Sequence, residues 1–351
     1  MKILHISWTF TFGGIETMLV NIANEQVKLG HDVNILIIEY NNVEKTLLEK
    51  LDPKVKMHYA NRKHGAKDIL SLIKFNIMLR KINPDTIHIH SAAIYKYIFG
   101  KKMRSIINST LHALCGTKNI SNIEKIPRVF AISQAVHDDL LQKKRVNSIV
   151  CANGIKPELI KPRTDITPKD YVKIVQVSRL DISTKGQDVL VSAAKELVNR
   201  GYMNFSVNFI GDGGSRALLE QQVKDLNLEN FVHFIGAKSQ EYIFSHLCDY
   251  DLFVQPSRNE GFGLTVAEAM AAKVPVIATS NQGPAEVINY GELGYLFEID
   301  NVKDCADKIE IFLRKENDIN QIERAYKKVW DTYNIKTTVR TYLKNYLRKD
   351  E

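Results

Sequence analysis

Cysteine is scarce in this chain: four residues in 351 (Cys115, Cys151, Cys248 and Cys305), with no Cys-x-x-Cys pair. That excludes a disulfide framework or a zinc cluster as the organising device. It leaves four free thiols, expected to fill core space. Long apolar runs are missing too. Nothing approaches the ~18 residues of a membrane span, and Val33 to Ile38 is only strand-sized. The start, Met1-Lys2-Ile3-Leu4-His5, meets a polar glycine turn too early for a signal peptide. A cytoplasmic location is therefore expected. There is no P-loop, and Gly211-Asp212-Gly213-Gly214 lacks the GxGxxG spacing of a dinucleotide fold. What remains is ordinary in composition, 44% apolar and 25% charged, which excludes a disordered or fibrous chain. The length favours two domains at roughly 150 residues each.

Charge is unevenly spread. Residues 1–160 carry 23 Lys and Arg against 13 Asp and Glu, a net +10, whereas the remainder is close to neutral. A basic first half suits an anionic partner: a membrane surface, a nucleic acid or a phosphorylated acceptor. The plainer alternative is a solubilising lysine-rich surface. Lys101-Lys102-Met103-Arg104 and Lys143-Lys144-Arg145 are the local clusters. Tyr95, Tyr97, Ile98 and Phe99 beside the first could seat at a lipid interface or belong to the core. Nucleic acid is not expected, because no recognised nucleic-acid module accompanies the charge. Peripheral association with the inner face of a membrane is the expectation to test.

The apolar pattern alternates strand and helix twice over. Lys2 to Trp8 ends in the turn Phe12-Gly13-Gly14, and Ile15 to Leu29 then repeats near 3.6 residues. Gly30 sits where a helix terminates, and Val33 to Ile38 reads as a buried parallel strand. Ile69–Ile82 reads as a helix, and Thr86–His90, Ile106–Leu111 and Val129–Ile132 as strands. Residues 153–171, broken by Pro157, Pro162 and Pro168, read as a linker. Strands then follow at 172–177, 205–210, 231–235, 252–255 and 275–278. Helices lie at 187–200, 217–226 and 264–272. This is an α/β chain with two doubly wound parallel-sheet domains, 1–160 and 165–332. An amphipathic helix at about 335–351, clearest from Ile335 to Leu347, can pack on either. Ligands in such folds bind beyond the carboxyl ends of the strands, so the cleft between the domains is the expected site.

The strongest motif is Pro256-Ser257-Arg258-Asn259-Glu260-Gly261-Phe262-Gly263-Leu264-Thr265-Val266-Ala267-Glu268. Glu260 falls in a loop after a strand, and Glu268 inside the next helix. From Leu264 to Glu268 the axial rise is about 6–7 Å. The carboxylates therefore cannot form one tight acid/base dyad from this element alone, but they can hold two parts of an elongated ligand. Gly261 and Gly263 let backbone approach closely, and the helix start offers unpaired N–H groups to an anion. A nucleotide-sugar diphosphate has hydroxyls at both ends and phosphates between. The alternative is a solvated loop Glu and a helix Glu paired to a lysine. Arg179 and Lys185 flank a second strand end; two cations there suit a diphosphate leaving group, or are plain surface charge. Asp249-Tyr250-Asp251 is formally DxD but precedes a strand, so it should lie at the wrong end of the sheet. His88 and His90 alternate on a strand with no third ligand spaced to complete a metal site. Gly211 to Gly214 is a strand-end turn expected to border the nucleotide.

These motifs together resemble the retaining glycosyltransferases of family 4 (glycosyltransferase group 1), which have the GT-B fold of two Rossmann-like domains facing a cleft. Glu260 and Glu268 match the paired glutamates, with Gly-Phe-Gly-Leu between them. Arg179 and Lys185 match the basic pair at the diphosphate. Gly13-Gly14-Ile15-Glu16 matches the first-domain glycine loop, and His112 the first-domain histidine. Ala152-Asn153-Gly154-Ile155 resembles the interdomain element, with Ala152 where Pro is usual. Lys273 stands where a small residue is common. The resemblance covers Lys2 to about Tyr295. It implies sugar transfer with retention from a nucleoside-diphosphate sugar, a UDP-sugar favoured, to a glycan or lipid-linked acceptor in cell-surface polysaccharide synthesis, without a metal or other cofactor. It also implies that Glu268 binds ribose, Glu260 the sugar hydroxyls and His112 the sugar or its phosphate. Gly14 and the backbone from Phe262 to Leu264 would line the phosphates. His112 taken alone would be a core or turn histidine. A sugar-nucleotide epimerase of the same fold and a non-catalytic binding protein are the alternatives.

Overall fold

The computed structural model describes residues 1–11, 13–39, 43–62, 69–116 and 120–346. Phe12 of the glycine turn and the terminal residues from Leu347 lie outside them. The chain divides into two units. One comprises Met1–Gly154 and the stretch beginning at Ile335; the other is Ile155–Asn334.

The first unit is built on seven strands: β1 Lys2–Ser7, β2 Asp32–Ile37, β3 Lys56–Tyr59, β4 Thr86–Ile89, β5 Ile107–Leu111, β6 Arg128–Ala131 and β7 Ile149–Val150. Their order is β3-β2-β1-β4-β5-β6-β7 and every pairing is parallel. The sequence pattern reveals β1, β2, β4, β5 and β6 but not β3 or β7. An interior parallel strand is covered on both faces and reads as an apolar run. β3 and β7 are the sheet's edges, half-exposed, and carry no such run. The helix Gly14–Lys28 buries Leu19, Ile22 and Ala23. It stops at Gly30, where φ is +83°. There Gly30 N donates to Val27 O (2.9 Å) and His31 N to Gln26 O (3.1 Å), a Schellman ending.

The C-terminal helix Ile335–Tyr346, which the sequence leaves free to join either domain, packs on the first unit. Tyr342 and Tyr346 are fully buried, and Arg128 Nη1 donates to Tyr346 O at 2.9 Å. Gly154 faces the start of this helix so closely that a Cβ would lie 2.5 Å from Ile335 Cα. The proline-broken stretch after it is thus no loose linker. Lys161 N donates to Phe244 O and Arg163 N to Ala272 O, and the Arg163 guanidinium pairs with Asp251 at 3.0 Å.

The second unit holds six parallel strands: β8 Val172–Val177, β9 Phe205–Ile210, β10 Val232–Gly236, β11 Leu252–Gln255, β12 Val276–Thr279 and β13 Tyr295–Phe297. The order is β10-β9-β8-β11-β12-β13. Ile174, Leu190, Phe205, Val207, Leu252 and Ile277 centre its core. Both sheets reverse direction of growth once, at β1/β4 and at β8/β11. In doubly wound sheets the ligand crevice opens at that switch point, beyond the carboxyl ends of the strands.

Two expectations need correction. Only Cys151 and Cys305 are core thiols; Cys115 and Cys248 are half-exposed. Of the aromatic stretch left open between a lipid interface and the core, Tyr95 and Ile98 are buried and only Phe99 is open, at 41% exposure. The Arg104 guanidinium lies over the Tyr95 ring and the Arg62 guanidinium over Tyr97, so these rings are already covered. Among the described residues no helix is long and apolar enough to cross a membrane.

Candidate functional site

In the second unit the β8/β11 switch point brings together the loops Ser178–Gly186 and Pro256–Gly263. Lys185 and Glu260, 75 residues apart in sequence, form an ion pair there. Each is about one-fifth exposed, so the pair is shielded but reachable. Its supports explain the local sequence. Gly186 adopts φ +64°, and a Cβ on it would sit 1.9 Å from Pro256 O; only glycine lets the two loops touch. Arg258 grips Asp188 through both guanidinium arms (2.7 and 2.8 Å) and reaches Asp300 through Nε (2.6 Å). The backbone N–H groups of Arg258 and Asn259 donate to Thr184 O. Glu260 N donates to Gln282 Oε1 at 2.7 Å, and Gly283 N donates to Glu260 O. A Cβ on Gly283 would meet the Phe262 backbone at 2.3 Å. The glutamate loop is therefore braced on one side by Arg258 and on the other by the Gln282–Gly283 turn.

Arg179 shares the first loop but is held differently. Its guanidinium is mostly exposed and pairs with Asp181 at 3.0 Å, while its carbonyl accepts from Gln187 Nε2. Gly211 and Gly213 border this loop. A Cβ on Gly211 would come within 1.9 Å of Ser178 O, and one on Gly213 within 2.4 Å of Leu180 O. Those glycines are required by packing against the basic loop, whatever else they approach.

Gly263, at φ +102°, opens the helix Leu264–Ala271 and provides no side-chain cap. The first-turn N–H groups of that helix consequently face the loop, with the dipole's positive end behind them. Phe262 turns inward, its ring edge-on to Tyr333 at 5.5 Å. Glu268 is 9% exposed and has no hydrogen-bond or ion-pair partner among the described residues. Burial alone pushes its carboxyl up to about 8. Among the described residues it has no lysine partner, the plain alternative for a helix glutamate. Asn281 Oδ1, just beyond β12, is also buried without a partner among the described residues. A buried acid left unpaired is costly, which makes it a candidate ligand contact.

In the first unit the β1/β4 switch point opens on a cavity of ≈ 220 Å³ lined by Ser7, Trp8, Glu16, His90, Ser109 and His112, among others. Gly13 and Gly14 stand at its helix start, both exposed. A Cβ on Gly13 would press on the Glu16 carboxylate at 2.6 Å, but one on Gly14 would meet nothing within 4 Å. The chain's own packing thus makes no demand for glycine at 14.

Behind His112 runs a chain of buried imidazoles that sequence reading misses. Gln26 Oε1 lies 2.8 Å from His5 Nε2, His5 Nδ1 3.2 Å from His90 Nε2, and His90 Nδ1 3.3 Å from His112 Nε2. Burial lowers His5 to about 4 and His90 well below the ordinary imidazole range. Both are neutral, so each ring has one donor and one acceptor. Gln26 Oε1 can only accept, which sets His5 Nε2–H, then His90 Nε2–H, then His112 Nε2–H in sequence. His88 belongs to a parallel run, bonded to Tyr346 Oη and Thr110 Oγ1 at 2.7 Å each. The alternating histidines thus form a polar layer under the terminal helix. Among the described residues no group of three or more His, Cys, Asp or Glu could hold a metal. Asp251 pairs with Arg163 and accepts from Lys173 N. It and Asp249 line a separate groove at the opposite strand ends.

Comparison with known proteins adds to this geometry. Residues 160–329 match the family described as glycosyl transferases group 1, and residues 12–159 match glycosyltransferase family 4. A 2-deoxystreptamine N-acetyl-D-glucosaminyltransferase of Niallia circulans is 28% identical over 61% of this chain, which spans 53% of that protein. The N-acetyl-alpha-D-glucosaminyl L-malate synthase of Bacillus anthracis is 25% identical over 94% of this chain and 92% of its own length. Among solved structures, Anabaena Alr3699/HepE in complex with UDP and glucose superposes with a TM-score of 0.78 at 20% identity, covering 98% of each chain.

Proposed function

The chain belongs to glycosyltransferase family 4 and is a glycosyltransferase of the GT-B fold, and from that premise we propose a retaining enzyme that takes its sugar from a UDP-sugar. Glu268 carries the donor reading: a buried carboxyl with no protein partner, in the helix that follows the glutamate loop. In this reading the ribose hydroxyls supply its missing hydrogen bonds. The helix N-terminus and the Gly14 backbone take the diphosphate. Lys185 and Arg179 offset the charge that develops on it as the glycosidic bond breaks. Glu260, whose carboxylate holds Lys185, accepts from hydroxyls of the sugar, and His112 contacts the sugar or its phosphate from the first unit. The acceptor hydroxyl forms the new C–O bond on the face the diphosphate leaves, and its proton passes to the departing phosphate oxygen. The cations of the chain do the work that a metal does elsewhere, so no metal is required.

The names of both relatives specify N-acetylglucosamine transfer, so UDP-N-acetylglucosamine is the first donor to test. A glycan or lipid-linked glycan is the acceptor class, in polysaccharide assembly on the cytoplasmic side of the membrane. The test is incubation with a panel of UDP- and GDP-sugars and candidate acceptors, read by mass spectrometry, with the product's anomeric configuration read by NMR. An α-linked product from an α-donor is expected. Epimerised donor without transfer, or an inverted product, would overturn the reading.

A further inference from the structure

The helix Ile69–Ile82 presents an uncommon face to solvent. Phe75, Asn76, Leu79 and Ile82 are buried. On the other side Ile69 is 71% exposed, Leu70 72%, Ile73 45% and Ile77 46%. The remaining exposed residues of the helix are Lys74, Arg80 and Lys81. At about 100° per residue, these seven fall within an arc of about 140°. A helix on a water-facing surface normally puts polar groups there; this one puts an aliphatic row beside cations. The helix has no Asp or Glu.

The patch extends beyond the helix. Asn76 Nδ2 donates to Tyr97 O at 2.9 Å and Asn76 Oδ1 accepts from Phe99 N at 2.8 Å. These bonds seat the 97–100 turn against the helix. Phe99 is exposed there, followed by the exposed Lys101 and Lys102. The basic cluster noted in the sequence is thus joined to an apolar surface, although of the neighbouring Tyr95, Tyr97, Ile98 and Phe99 only Phe99 is exposed.

We propose that this face docks on an anionic lipid bilayer, with the helix lying in the interface plane. The aliphatic row and Phe99 would enter the acyl boundary, and the lysines and Arg80 would meet the headgroups. Charge complementarity selects this occupant. A second copy of the chain, related by a two-fold axis, would set five cations against the same five. A nucleic acid would satisfy the cations but leave the aliphatic row uncovered. The inference does not depend on the transfer reaction, and its failure would leave that reading intact.

Co-sedimentation with vesicles of pure phosphatidylcholine and of phosphatidylcholine mixed with phosphatidylglycerol tests it, using the full chain. Two variants are compared: Lys74→Gln/Arg80→Gln/Lys81→Gln and Ile73→Gln/Ile77→Gln. All five positions are solvent-facing, so unchanged thermal melting is expected and serves as the folding control. The wild-type chain should bind the anionic vesicles far better than the neutral ones and release at about 0.5 M salt. Removing three charges should weaken binding about 100-fold, and the apolar pair at least about 10-fold. Failure of the wild-type chain to bind anionic vesicles at low salt would overturn the proposal. So would retention of full binding by either variant. A concentration-dependent dimer in gel filtration that both variants dissociate would also overturn it, assigning the face to a second copy.

Discussion

Replacing Glu268 by glutamine keeps the shape of the side chain and removes its ability to ionise. The carboxyl is buried and unpaired, and burial moves it from an ordinary value near 4.5 to about 8. Below about pH 4.5 it is protonated whether the chain is folded or not, and contributes no pH dependence. Between pH 4.5 and 8 the unfolded chain releases the proton while the folded chain keeps it. Stability therefore falls as pH rises through this window. Above about 8 both states are ionised and the loss is complete. The full shift corresponds to about 5 kcal/mol; relaxation and water entry around the charge bring the expected loss to ~2–5 kcal/mol. Urea denaturation of wild type and Glu268→Gln at intervals from pH 5 to 9, without nucleotide, measures it. The other titrating groups are common to both proteins and cancel in the difference. The variant should gain on the wild type progressively up to about pH 8, after which the gap stays constant. A gap independent of pH would refute the reasoning. The same carboxyl should lose its proton when ribose hydroxyls donate to it. Binding of UDP near pH 7 should then release close to one proton, measured by calorimetry in buffers of different ionisation enthalpy, and the release should vanish in Glu268→Gln.

The remaining predictions concern the loops around it. Arg179→Ala or Lys185→Ala should cost roughly 2–4 kcal/mol of transition-state stabilisation, read as kcat/KM, with activity unaltered by chelator. Gly186→Ala forces a Cβ against Pro256 O at positive φ and should lose at least about 2 kcal/mol of stability, whereas Gly14→Ala should leave stability within about 0.5 kcal/mol and lower transfer. Lys273 closes its helix in the left-handed conformation, φ +55°, with Val274 N donating to Ala269 O. Lys273→Gly should relieve about 1 kcal/mol of backbone strain but lose the half-exposed Glu323 pair and the ammonium's place over the Tyr326 ring, losses of similar total size, so stability should stay within about 0.5 kcal/mol by chemical denaturation. Gln26→Leu orphans His5 Nε2 and should cost about 1–3 kcal/mol. It should also change the His112 tautomer seen by nitrogen NMR; an unchanged His112 signal would show that Gln26 does not position it.

What could be read from the chain follows the range over which its pattern acts. The interior strands and the helices Gly14–Lys28 and Leu264–Ala271 were legible because apolar spacing is local and both faces of an interior parallel strand are covered. Edge strands β3 and β7 lack that burial and were missed. The geometry of the second unit's candidate site was legible in outline for a similar reason. Glu260, the glycines after it and Glu268 occupy nine consecutive positions, so loop, helix start and buried acid can be laid out in order. Arg179 and Lys185 stand close together on one loop. The bracing was hidden: Asp188 lies 70 residues from Arg258, and neither has a spacing signal to join it to the other.

The histidine chain shows where such reading ends, and why. His5 and His88 are opposite each other in the β1/β4 register, yet they are 83 residues apart, and Gln26 and Tyr346 reach them from two helices at opposite ends of the chain. Each of these polar residues looks misplaced in an apolar strand or helix when taken singly. Together every ring nitrogen of His5, His88 and His90 faces a donor or acceptor, and a network so satisfied orients its members where a half-satisfied one would be a liability. The terminal helix contributes Tyr342 and Tyr346 to this layer, and that is the physical reason it belongs to the first unit despite following the second in sequence. A polar layer can select among packings that an apolar face would accept equally, because any other arrangement strands several buried hydrogen-bonding groups at once. The same layer ends at His112, which lines the first unit's cavity, so the interactions that place the last helix also orient the histidine proposed to meet the donor.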